Sequence, residues 1–201
     1  MRSHSSLFGL GAAAMAVVLC LLPASSGTAD EKGNPDVKAA VLKLADASEK
    51  DDTAELKKQL EVLQKTEAAD FMKVFQLRTN GGVGVGPVPG AIKPDGIDAK
   101  LKRIGTKAPT ARELAAQSAD LARMAHVMAA VAAAIRDKCP VAVKIGDKDP
   151  KEWKRWSQDM REQSLQLARV LKEKKPEPMA VKTAATKLYG TCTACHVPFR
   201  D

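Results

Sequence analysis

Aromatic side chains are scarce in this chain: its 201 residues include four Phe, two Trp and one Tyr. Runs of β-branched and aromatic residues that build strands are equally rare, while Ala, Leu, Lys, Glu and Gln abound. The composition therefore argues against a sheet-based domain and for an all-α one. Histidine is short too. Of three, His4 lies in the leading segment, leaving His126 and His196, so histidine-based acid/base catalysis has little to draw on and no enzymatic activity is expected. After residue 29 no stretch reads as a membrane span. A formal charge of +8 comes without a basic motif interleaved with aromatics, which disfavours nucleic acid as a partner.

What is present begins with an export signal over residues 1–29. Arg2 and His4 lead, an apolar run extends from Leu7 to Leu22, and small residues surround a cut after Gly27-Thr28-Ala29. Cys20 lies inside the apolar run, but bulky Leu19 before it is a poor fit to lipoprotein processing, so soluble export to the periplasm is expected. Removing this segment leaves Cys139, Cys192 and Cys195 over the mature residues 30–201.

Two of these thiols belong to Cys192-Thr193-Ala194-Cys195-His196, near the end of the sequence. C-x-x-C-H reads as a c-type haem attachment site. Two thiols on one helical turn can each form a thioether to a vinyl group, and the adjacent imidazole can serve as an axial ligand to the iron. A redox dithiol would sit at a helix start in a strand-rich chain, and a zinc site would need a second Cys/His pair. Neither context is present. The expected cofactor is one covalent haem c with its iron, held by Cys192, Cys195 and His196. Cys139 is left as a small buried or helix-end thiol.

Periodicity predicts the helices. Val37, Val41 and Leu44 mark one over 36–49; Asp51-Asp52-Thr53 starts another, with Leu56, Leu60 and Leu63 on one face. Continuing that stripe would bury Glu67 and Asp70, so the register changes near Thr66. Ala68, Phe71, Met72 and Phe75 then share a new face up to about Arg78. A Gly/Pro-rich loop follows over 80–97. It is not a dinucleotide fingerprint, because the last glycine position of G-x-G-x-x-G falls on Pro87 or Pro89. So long a loop is expected either to be a plain connector or to cover an edge of the cofactor.

Thr110-Ala111-Arg112-Glu113 is a capping box opening a helix of about 28 residues. Leu114, Leu121, Met128 and Ile135 repeat every seven residues along it as a bundle seam. His126, about 140° around from Leu121, is expected to face solvent. Asp149-Pro150 starts the next helix, with Trp153, Trp156, Met160 and Leu167 on one face, and it stops near Lys175. The last begins at Pro178. Its inner face carries Val181, Ala184, Ala185, Leu188, Cys192 and Cys195, so that Trp153, Trp156, Met160 and Leu188 are expected to form the haem pocket.

The C-x-x-C-H motif within ten residues of the end, with the three long helices from Thr110 onward, resembles the class II c-type cytochromes: cytochrome c prime and its low-spin relatives. The resemblance covers residues 110–201 well. It implies a four-helix bundle with haem on its last helix; the first bundle helix falls around 53–78, is preceded by an extra N-terminal helix at 36–49 and is separated from the next by the Gly/Pro-rich loop. In low-spin members a methionine on the first bundle helix reaches the iron, and Met72 occupies the most suitable place, with Met124, Met128 and Met160 as competitors. The function expected is an exported, soluble electron-transfer protein, with acidic redox partner proteins suggested by the basic charge. The alternative is a five-coordinate protein that binds or senses nitric oxide. A homodimer is left open.

Overall fold

The computed structural model describes residues 33–199. The export signal read over 1–29, and Cys20 within it, lie outside the described residues. Seven α-helices make up the described chain: α1 (Pro35–Glu49), α2 (Thr53–Val62), α3 (Ala68–Lys73), α4 (Ile97–Thr106), α5 (Ala111–Ile135), α6 (Pro150–Leu171) and α7 (Pro178–Phe199). No named strand occurs among the described residues, so the chain is all-α, as expected from its composition.

Local signals place the helix starts. Asn34 and Asp52 accept from Asp36 N (2.9 Å) and Glu55 N (3.0 Å), and Asp149 accepts from Lys151 N (2.8 Å). Thr110 and Glu113 form the full capping box: Glu113 N donates to Thr110 Oγ1 at 3.1 Å, and Thr110 N to Glu113 Oε2 at 2.8 Å. Proline follows the cap in α1 and α6, where its missing N–H costs nothing. The register change expected near Thr66 is a full break: α2 ends at Val62 and α3 begins at Ala68.

Three boundaries differ from expectation. α5 spans 25 residues, not 28. α6 stops at Leu171, four residues before Lys175, where polar Lys-Glu-Lys-Lys follows the last buried leucine. The span 80–97 is irregular only as far as Gly96, where α4 begins; its Ile97, Leu101 and Ile104 are buried.

The core is built on α5. Leu114, Leu121, Met124, Met128, Val131 and Ile135 are all buried, between α1 on one flank and α6 on the other. α7 lies between α6 and α4, and burying Val181, Ala185 and Leu188 seats it there. A correction follows for membrane spans, since α5 is long and apolar enough to cross a bilayer. However, 72% of its most apolar window is buried inside the protein, as for the core helix of a globular domain. His126 also needs correction. It is 5% exposed, because α5 is apolar almost all round from Leu121 to Ile135 and α1 covers the side that a two-faced wheel assigns to solvent.

Candidate functional site

The last turns of α7 carry the C-x-x-C-H motif, and the fold gives them a wall to face. Helical geometry puts Cys192 and Cys195 one turn apart on the side that continues the buried stripe of Val181, Ala185 and Leu188. A cavity of about 420 Å³ lies against that side. Cys192, Cys195 and His196 line it from α7, Trp156 and Met160 from α6, Met128 and Ile135 from α5, Leu101 from α4, and Met72 and Phe75 from α3 and the turn after it. Both thiols, the motif imidazole and the methionine singled out in the sequence thus border one space. That volume lies within the range of roughly 300–1,000 Å³ usual for cofactor sites.

Burial governs the thiols. It pushes Cys192 up to about 11. It does the same to Cys195, with the neighbouring Cys192 and Cys139 thiols adding to the effect, again to about 11. At neutral pH both are protonated. Cys192 Sγ–H points to Leu188 O at 3.6 Å. His196 and Val197 are exposed at the cavity's rim, and Tyr189 is 37% exposed beside them, so the space opens to solvent along this edge. Asp98, also exposed, is the one carboxylate among the lining residues and accepts from Ala99 N at 2.6 Å.

Aromatic contacts anchor the motif's end of α7. Phe199, one turn beyond His196, meets Trp153 edge-on with centroids 5.0 Å apart and Trp156 at 6.1 Å. Trp153 donates its indole N–H to Ile135 O at 2.8 Å, tying α6 to α5. Burial of such an indole is worth about 3–5 kcal/mol relative to alanine.

The expected pocket set therefore divides. Trp156 and Met160 line the cavity, whereas Trp153 and Leu188 are buried behind it and do not. Met72 and Met128 line it as well; Met124 is core only. No residue of 80–97 reaches the cavity. Sequence reading missed Asp98 and Leu101, which belong to α4, although Ile97, Leu101 and Ile104 have helical spacing that could have revealed that helix. Among the described residues no group of three or more His, Cys, Asp or Glu is placed to hold a metal ion. The motif residues do not make a zinc-type cage. Two thiols and one imidazole along an apolar cavity do suit a metal that arrives inside an apolar macrocycle. No family model, curated protein or solved structure matches this chain.

Proposed function

We propose that the protein is an exported c-type cytochrome that carries electrons in the periplasm, with one haem c held by Cys192, Cys195 and His196. The observation that carries this reading is the convergence of the attachment motif with Met72, from the other half of the chain, on one apolar cavity. A bound haem supplies a one-electron couple at its iron. Cys192 and Cys195 would each hold the group through a thioether, formed by net addition of S–H across a vinyl group, with no net oxidation or reduction. His196 would hold the iron and Met72 is the residue we favour as its second protein ligand, a His/Met pairing that would raise the potential. Met128 and Met160 pack the remaining wall.

The rim of Tyr189, His196 and Val197 leaves an edge open for electron exchange. The charge of +8 favours acidic redox partners through steering. For the four-helix bundle we assign α4, α5, α6 and α7, in place of the helix expected around 53–78, which is broken into α2 and α3; Met72 then reaches the cavity from α3, ahead of the bundle's first helix. The packing of these four supports the assignment: α7 lies on both α4 and α6, α6 lies on α5, and Lys100 Nζ donates to Gln117 Oε1 at 3.1 Å between α4 and α5.

A second reading has its own support. Phe75, Leu101 and Ile135 give the cavity an apolar wall of the kind that a vacant, nitric oxide-binding side requires. Expression in a host competent for c-type maturation separates the readings. The electron carrier is expected to gain one haem in intact mass and to show a low-spin visible spectrum in both oxidation states. Met72→Ala should then lose low-spin character, bind exogenous ligands and drop in potential. A high-spin wild type that binds nitric oxide and is indifferent to Met72→Ala would favour the gas-binding protein. A chain without haem mass would defeat both.

A further inference from the structure

The segment between α3 and α4 looks like a connector in sequence but is folded around an ion pair. Arg78 Nε donates to Asp95 Oδ1 at 3.0 Å, with the two side chains 22% and 16% exposed. The same carboxylate oxygen accepts from Val85 N at 3.1 Å, and Arg78 Nη2 donates to Gly86 O. The ion pair therefore gathers both ends and the middle of the segment. The backbone is as closely fitted. A Cβ at Gly82 would lie 1.8 Å from Gln76 O, and one at Gly84, where φ is +76°, would lie 1.9 Å from Arg78 Nε. Only glycine fits at either position.

All these links lead to the residues that follow Met72. Val83 N donates to Val74 O at 3.1 Å, Gly82 N to Leu77 O at 3.0 Å, and Asp98 N to Phe75 O at 3.2 Å. α3 itself has only six residues and touches α5 lightly, too short a helix to hold its own orientation. Neither Arg78 nor Asp95 lines the cavity, yet Met72 and Phe75 do.

We propose that residues 78–96, closed by the Arg78–Asp95 pair, form a clamp that positions Met72 at the cavity, so that the sixth ligand depends on an ion pair outside the site. The inference rests on the haem reading above. Arg78 and Asp95 are positioning residues. Removing one partner of a partly buried pair leaves the other charge uncompensated and loosens the segment that it closes.

The test uses the haem-loaded chain with Asp95→Asn and Arg78→Lys, which keep size or charge but lose the two-point grip of the guanidinium. Expected for both are full covalent haem by intact mass and unchanged helix content. The low-spin fraction and the potential should fall and carbon monoxide binding should appear, as in Met72→Ala. Combining Asp95→Asn with Met72→Ala should shift the spectrum no further than Met72→Ala alone, the non-additivity expected of residues acting through one ligand. If Asp95→Asn lowers the thermal midpoint but leaves spectrum and potential unchanged, the loop is only scaffolding and the inference is overturned. A wild type without covalent haem would overturn the haem reading and the clamp together. A loaded wild type whose spectrum ignores Met72→Ala would overturn the clamp and leave covalent attachment standing.

Discussion

His126 is a buried imidazole in charged company. Its Nδ1 is 3.4 Å from Ser48 Oγ on α1, and its Nε2 has no hydrogen-bond partner among the described residues. Glu49 and Asp51 face it from the end of α1 and the turn beyond, Arg123 from α5 and Lys172 from the end of α6. Arg123 pairs with Asp46, and Lys172 with Glu49 at 3.0 Å. Burial lowers the imidazole below its ordinary 6.5; Lys172 and Arg123 add to this, and Glu49 and Asp51 oppose it. The unfolded chain then binds the proton more readily than the folded one. Stability is accordingly complete above pH 6.5 and lost as pH falls from there through the lowered folded value. Urea midpoints measured between about pH 7.5 and pH 5 should decline in the wild type and flatten in His126→Gln. Equal slopes in the two proteins would show that the imidazole does not drive the decline. Heptad spacing alone misplaced this residue. The useful signal was the run of apolar and small residues all round the helix from Leu121 to Ile135, which marks an enclosed helix.

Among the elements, α7 was readable end to end, because its start at Pro178, its buried stripe and its thiols all lie in one local pattern. α4 was not. Its ten residues hold three buried apolar side chains between a Gly/Pro-rich stretch and a lysine-rich end, so the loop signal overrode the helical spacing. The break between α2 and α3 was readable from the stripe changing face, but the clamp after it was not, since the Arg78–Asp95 pairing has no local spacing rule. The thiols of α7 carry a prediction of their own. With Cys192 and Cys195 both raised to about 11 from 9.0, the folded haem-free chain prefers them protonated. Their contribution to stability is complete below about pH 9 and is lost as pH rises toward 11. Alkylation of the haem-free protein at pH 8 should therefore be slow at these two sites and should quicken about tenfold per pH unit above it. Rapid modification of both at pH 8, in a chain still folded by circular dichroism, would mean that α7 does not bury its thiols there.

At the scale of the molecule, the cavity is assembled from five helical regions spread from Met72 to Val197, and that non-local part of the site was beyond local pattern. The C-x-x-C-H residues could be named from five consecutive positions; of the wall opposite, Met72, Met128, Trp156 and Met160 were named from helical stripes, whereas Phe75, Asp98, Leu101 and Ile135 were not placed at the cavity. On the haem reading proposed above, this assembly would make the cofactor part of the fold's stability. Because that cavity opens to solvent, its apolar walls stay wetted in the chain alone, which forgoes the burial they could contribute. The same walls packed on a covalently attached group would recover that loss. The Cys192→Ala/Cys195→Ala protein should therefore unfold at a clearly lower temperature than the haem-loaded wild type. Its amides in α3, α4 and the last turns of α7 should exchange fastest, while those of α1 and α5 stay protected, because their mutual packing does not involve the cavity's open edge. Equal thermal midpoints with uniform protection would show that the helices close on themselves without a cofactor, and that the cavity contributes nothing to holding them together.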